Sequence, residues 1–170
     1  MKRVVAGILA GLCILTQPIT ASANSLSYIV PEEVDGIPTE ISQNAEIIGG
    51  QFNICPELLE AIAYYESSYQ ATAKNGPCMG LMQVNAHIHK DRFTEAGWSE
   101  KDWDDAYKNM FVAASYLHDL FVEYEDVAEV LYRYNGDTTN LERYHKSGYL
   151  SHYVQAILNK SEELERQHGK

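Results

Sequence analysis

The residue best placed to do chemistry is Glu66, within the stretch CPELLEAIAYYESSY from Cys55 to Tyr69. Leu58, Leu59, Ile62, Ala63, Tyr65 and Tyr69 recur there at three- and four-residue spacings and make one apolar helical stripe. At roughly 100° per residue Glu66 falls inside that stripe, whereas Glu57 and Glu60 project from the other side. A carboxyl group on a core-facing stripe is costly to ionise and holds its proton near neutral pH. A general acid needs that property. The plain alternative is a glutamate that is paired structurally or turned to solvent.

Uncharged polar groups follow along the chain. The segment Gly80 to Asn85, GLMQVN, sets Gln83 and Asn85 among apolar residues. Such amides suit sugar hydroxyls and N-acetyl groups, although Leu-Met-Val describes core equally well. Tyr134 closes the run Val127, Val130, Leu131, Tyr134, just before Asn135-Gly136-Asp137, so it faces inward at a helix end and can offer its hydroxyl to a cleft. Trp98 and Trp103 could stack on sugar rings, though packing at the edge of a core is their commoner fate. His87 and His89 stand two apart with Asp91 close behind, a spacing that suits exposed loop histidines better than a metal site. With no CxxC and no clustered Cys/His spacing, neither a metal nor a cofactor is expected.

Helices must position these groups. Pro56 suits a first helical position, so the Glu66 helix starts there. An earlier helix runs from Thr39 to about Gln51 with Ile41, Ala45 and Ile48 on one face, its end weakened by Gly49 and Gly50. Ser99-Glu100-Lys101-Asp102 resembles a capping box ahead of a short helix containing Trp103. A long helix from about Ala106 to Tyr124 buries Met110, Ala113, Ala114, Leu117, Leu120 and Phe121. Asp126 opens the helix of Tyr134, and a last helix covers roughly Ser151 to Gln167. No strand-like alternation or repeat stands out, and the expected fold class is mainly α.

The first 23 residues read as an export signal. Lys2 and Arg3 supply the positive start, Val4 to Leu15 the apolar run, and Ala21-Ser22-Ala23 a small-residue cleavage site. The run is shorter than the about 20 apolar residues that span a bilayer. Leu12 before Cys13 does not make a lipid-attachment box, so secretion without a membrane anchor is expected. Residues 24–38, with two prolines and the acids Glu32, Glu33 and Asp35, read as a linker or extended arm. Residues 39–170 then form one domain.

The chain has a formal net charge of −11, and loss of Lys2 and Arg3 with the signal would make it more acidic still. That balance excludes nucleic acid as an expected partner and argues against simple adhesion to an anionic wall or membrane. Cys55 and Cys78 remain in a chain read as exported, where a disulfide between them is expected, worth roughly 3 kcal/mol. Two buried thiols are the alternative.

The order of segments resembles the lysozyme-like catalytic domain of soluble lytic transglycosylases. The matching pieces are Glu66-Ser67-x-Tyr69, Gly80-Leu81-Met82-Gln83, Asn109-x-x-x-Ala113-x-x-Tyr116-Leu117, Tyr134-Asn135-Gly136 and Tyr153-Val154. The resemblance implies two helical lobes around a cleft and cleavage of peptidoglycan glycan strands between N-acetylmuramic acid and N-acetylglucosamine. It implies that Glu66 acts as acid and then base, leaving a 1,6-anhydromuramic end. It places Gln83 and Tyr134 around that glutamate, with Ser67 beside it as a substrate-side residue whose own part is helix packing. The chain departs from the family at Asn85-Ala86, where Met-Pro is frequent, so Asn85 becomes a polar contact to substrate. Arg133 likewise replaces the usual small residue before Tyr134. A hydrolase on the same scaffold would need a second carboxylate, for which Asp91, Asp102, Asp104, Asp105 and Asp137 are candidates. A glycan-binding module without catalysis is the other alternative. Family analogy adds components of a secretion or conjugation apparatus as partners.

Overall fold

The computed structural model describes residues 33–34 and 36–170. The expected signal segment and most of the arm lie outside the described residues. The end of the arm forms a small antiparallel hairpin, β1 (Glu33–Val34) against β2 (Ile37–Pro38), which feeds directly into α1 (Thr39–Phe52). Ile41, Ala45 and Ile48 bury the face of α1 expected from their spacing. The helix runs through Gly49 and Gly50 to Phe52, close to the expected end, and stops at a left-handed Asn53. Gly49 is there for space, because a Cβ would stand 2.6 Å from the Ile54 carbonyl oxygen as the chain turns back.

Helix α2 (Pro56–Ser67) carries Glu66 and packs against both α1 and α7 (His152–Gln167). Two partners give α2 two buried sides, and this overturns part of the helical reading. Glu57 and Glu60, expected to project outward, are 0% and 1% exposed, whereas Tyr65, expected in the apolar stripe, is 42% exposed.

Two two-residue strands, β3 (Lys74–Asn75) and β4 (Cys78–Met79), form a second hairpin too short to show alternation in the sequence. After α3 (Lys90–Glu95) comes a single 3₁₀ turn, Glu100–Asp102, closed by the expected capping box between Ser99 and Asp102. The long helix α4 (Ala106–Tyr124) starts at Asp105, whose side chain accepts from the Lys108 amide, and it contacts α1, α3 and α5. Helix α5 (Val127–Asn135) and α7 are capped by Asp126 and Ser151 in the same way. Between them lies α6 (Thr138–Ser147), which buries Leu141 alone and so left no apolar period to read. Seven helices among the described residues make the fold mainly α, as expected. Trp98 packs edge-on to Phe111 with ring centres 5.0 Å apart, and Trp103 packs against the core beneath the Lys74 ammonium.

Candidate active site

The end of α2, the β3–β4 hairpin with the loop after it, the middle of α4, the end of α5 and the start of α7 enclose a cleft of about 780 Å³. Glu66, Gln83, Asn85 and Tyr134, four residues singled out in the sequence, all line it. Ser67 does not. Its hydroxyl is buried and donates to the Ala63 carbonyl one turn earlier at 3.1 Å, so it is a helix residue and no contact for substrate.

Glu66 is held by a residue 87 positions away, for the Tyr153 hydroxyl donates to Oε1 at 2.5 Å. The Asn135 side chain reaches the same hydroxyl and favours its use as a donor toward Glu66. Burial pushes the Glu66 carboxyl above the ordinary carboxylate range, and the Tyr153 hydrogen bond pulls the other way without cancelling that rise. With Oε1 accepting from Tyr153, Oε2 is the oxygen open to carry the acid's own proton. Burial and the neighbouring Glu66 raise Tyr153 in turn, so it stays a phenol.

The loop after β4 is fixed from α4. Asn109 is fully buried and donates to the carbonyls of Met79 at 3.0 Å and Trp103 at 2.9 Å. Its Oδ1 accepts from the Met82 amide at 2.8 Å. Gly80 takes φ +84°, and a Cβ there would lie 2.3 Å from Asn109 Nδ2, so only glycine lets this loop touch α4. Gln83 sits at φ +49°, rare for a residue with a side chain. Its Nε2 donates to the carbonyls of Gly80 at 2.8 Å and Ala73 at 3.2 Å, which leaves Oε1 as the group available to a sugar.

Tyr134 differs from expectation in one respect. It lines the cleft, but its hydroxyl donates to the Met82 carbonyl at 2.7 Å. It therefore braces the loop and retains only acceptor capacity toward a ligand. Asn85 uses Oδ1 to accept from the Ile88 amide at 3.3 Å, leaving its amide nitrogen to donate. His89 forms part of the wall, its ring 4.6 Å from that of Tyr116, while His87 is exposed. Burial and Arg92 both push His89 below its usual range, so it is neutral at pH 7.

The expected bridge between Cys55 and Cys78 is not formed, and both thiols are free. They belong to opposite ends of α2. Cys55 caps its start and donates to Glu57 at 2.9 Å, whereas Cys78 lines the cleft with Glu66 near the helix's far end. Eleven residues of helix separate these ends by about 16 Å, well beyond the reach of a disulfide.

Among the residues lining the cleft, Glu66 is the one carboxylate. The aspartates that a two-carboxylate reaction would need are elsewhere. Asp102, Asp105 and Asp137 cap helical turns, and Asp91 and Asp104 are exposed outside the cleft.

This is an α-helical domain built around a cleft with one protonatable carboxyl and a wall of amides and tyrosines. Residues 43–154 match the family model described as the Transglycosylase SLT domain, and the chain belongs to that family. The family is a lytic-transglycosylase type of glycan-cleaving domain whose substrate polymer is peptidoglycan. No curated protein matches the chain. Sequence reasoning had placed Tyr153 and Asn109 in motif pieces without giving them a role. The signal for both lay in polar groups on otherwise apolar helical faces.

Proposed function

We propose that the chain is an exported peptidoglycan lytic transglycosylase. It cleaves the β-1,4 bond between N-acetylmuramic acid and N-acetylglucosamine and leaves 1,6-anhydromuramic ends. The observation that carries this reading is the solitary, partly buried carboxyl of Glu66 in the cleft. A hydrolase that places water with a second carboxylate has no such group in this wall.

In the reaction, Glu66 Oε2 gives its proton to the glycosidic oxygen as the bond to the muramic anomeric carbon breaks. The carboxylate so formed is stabilised by the Tyr153 hydroxyl. It then takes the proton from the muramoyl O6 hydroxyl as that oxygen bonds to the same carbon. Glu66 ends protonated, and no water is consumed. An intramolecular hydroxyl held on the sugar replaces water through proximity. Gln83 Oε1 and the Asn85 amide nitrogen supply uncharged contacts for sugar hydroxyls and N-acetyl groups.

The test is mass spectrometry of muropeptides released from peptidoglycan by residues 24–170, beside the Glu66→Gln variant. Anhydro ends, each lighter than a reducing end by one water, are expected from the parent chain and none from the variant. Reducing muramic ends would replace the reading with hydrolysis, and absence of products from both would leave a glycan-binding module. Export is tested separately by sequencing the N-terminus of protein recovered outside the cytoplasm, where Asn24 is the expected first residue.

A further inference from the structure

We infer that Arg133 forms a carboxylate-binding subsite at the edge of the cleft, which recognises the peptide stems carried by the glycan strand. The inference rests on the glycan-cleaving reading and specifies what else that site recognises.

Arg133 is the one lysine or arginine among the residues lining the cleft. It sits in a chain of net charge −11, where an anionic substrate is otherwise repelled. Its guanidinium is already fixed. Nε and Nη2 both donate to Glu129 Oε1, at 2.9 and 2.6 Å, and the group lies 3.6 Å from the centre of the Tyr124 ring. These contacts use one edge and one face of the guanidinium. Nη1, with two N–H groups, has no partner among the described residues, and the side chain is 31% exposed. The second oxygen of Glu129 lies 3.0 Å from His145 Nε2, and Glu123 also acts on the guanidinium. The remaining edge is thus a rigid pair of N–H donors on a guanidinium, a geometry that suits a carboxylate. Holding the guanidinium beforehand lowers the ordering cost of binding. Arg133 also directly precedes Tyr134, which is bonded to the loop of Gln83, so the edge keeps a fixed relation to the sugar-binding wall. Peptide stems on muramic acid bring carboxylates to the rim of any cleft that takes the glycan, while on stem-bearing strands the muramic lactyl carboxyl is itself tied up as an amide.

The experiment compares intact peptidoglycan with the same material after its stem carboxylates are converted to neutral amides. The full chain, Arg133→Gln and Arg133→Lys are each assayed on both. The parent chain is expected to favour the carboxylate material by about five- to tenfold in kcat/KM, carried mainly by KM. Arg133→Gln is expected to bring that preference near unity, and Arg133→Lys to keep part of it. The proposal is overturned if the parent chain shows no preference, if Arg133→Gln keeps it, or if Arg133→Gln slows both substrates alike. A binding arm stands apart from catalysis, with Glu66→Gln protein titrated with soluble glycan fragments of each kind. A preference there that is lost with Arg133 supports the subsite even if the products prove hydrolytic. Anhydro products without any preference would sink the subsite and leave the catalytic reading standing.

Discussion

The Tyr153 hydroxyl and Glu66 Oε1 stand 2.5 Å apart, and this contact joins the start of α7 to the end of α2 at the cleft wall. Burial favours the neutral acid and the phenol favours the carboxylate, so the carboxyl is poised between its two tasks. The first task needs a proton on Glu66, and the second needs that proton gone.

Removing the phenol should separate these tasks. Tyr153→Phe deletes the interaction that lowers the Glu66 pKa, so that pKa rises further. Activity requires the protonated acid and is lost as pH rises through this pKa. The alkaline limb of kcat/KM should therefore move to higher pH in Tyr153→Phe, while the maximal rate falls by about tenfold from the weaker carboxylate. A pH–rate profile of the two proteins checks this. An unmoved alkaline limb would show that Tyr153 does not act on Glu66.

Much of this site was legible before the structure, and the limits have physical causes. Glu66 was found because a charged residue inside an apolar stripe breaks helical periodicity. The fate of Glu57 and Glu60 was missed because periodicity describes one face, and α2 has buried partners on two sides. Ser67 adjoins Glu66 in sequence, yet one step along a helix turns a side chain by about 100°, enough to leave the cleft. Cys55 and Cys78 looked like a pair by compartment and count, but neither signal reports the length of the helix between them. Tyr153 stood out only as a polar group on an apolar helical face, since nothing local reveals that its partner lies across a cleft. The short, polar α3 and α6 bury too little to leave a pattern.

The thiols give a direct check on the absent bridge. With Cys55 and Cys78 free, the melting temperature should be the same with and without a strong reductant. In residues 24–170, two thiols per chain should react with a thiol reagent after denaturation without prior reduction. Burial and the Glu57 contact push the Cys55 thiol up to about 11, so its alkylation in the folded protein at neutral pH should be slow. Alkylating Cys78 with a bulky reagent should block activity, because the thiol lines the cleft. A fall in melting temperature on reduction would restore the bridge.

Asn109 and Gly80 make one joint. Asn109→Ala removes three hydrogen bonds and leaves the Met82 amide and two carbonyls without their partner. A loss of about 3 kcal/mol is expected in denaturant unfolding. Gly80→Ala drives a methyl into the Asn109 side chain and the Trp103 carbonyl, both 2.3 Å away, at a left-handed position. It should destabilise by at least as much and raise KM, since the same loop carries Gln83. If the stability of Asn109→Ala stays within about 0.5 kcal/mol of the parent, the loop is not held this way.

Glu57 and Glu60 should give stability opposite dependences on pH. Glu57 accepts from Cys55, from His168 Nδ1 at 2.8 Å and from Lys170 at 2.7 Å, and these partners hold its carboxyl down at about 2. Its contribution is present above the unfolded value of 4.5 and is lost as pH falls through about 2. Glu60 lies one turn further along, among Ser42, Glu46, Glu57, Tyr69 and His168, with both oxygens buried and no well-formed hydrogen bond. Burial raises its carboxyl, so the folded state binds its proton more tightly than the unfolded chain does. The stability this provides is complete below 4.5 and is lost as pH rises through the folded value. Glu60→Gln removes the ionisation and should stabilise the protein at neutral pH by roughly 1–3 kcal/mol, while flattening the decline above pH 5. Glu57→Gln should instead destabilise at neutral pH, with the difference from the parent vanishing in strong acid. Unfolding measured between about pH 1.5 and 8 checks both slopes. A Glu60→Gln curve parallel to that of the parent would show that Glu60 is already ionised and paired.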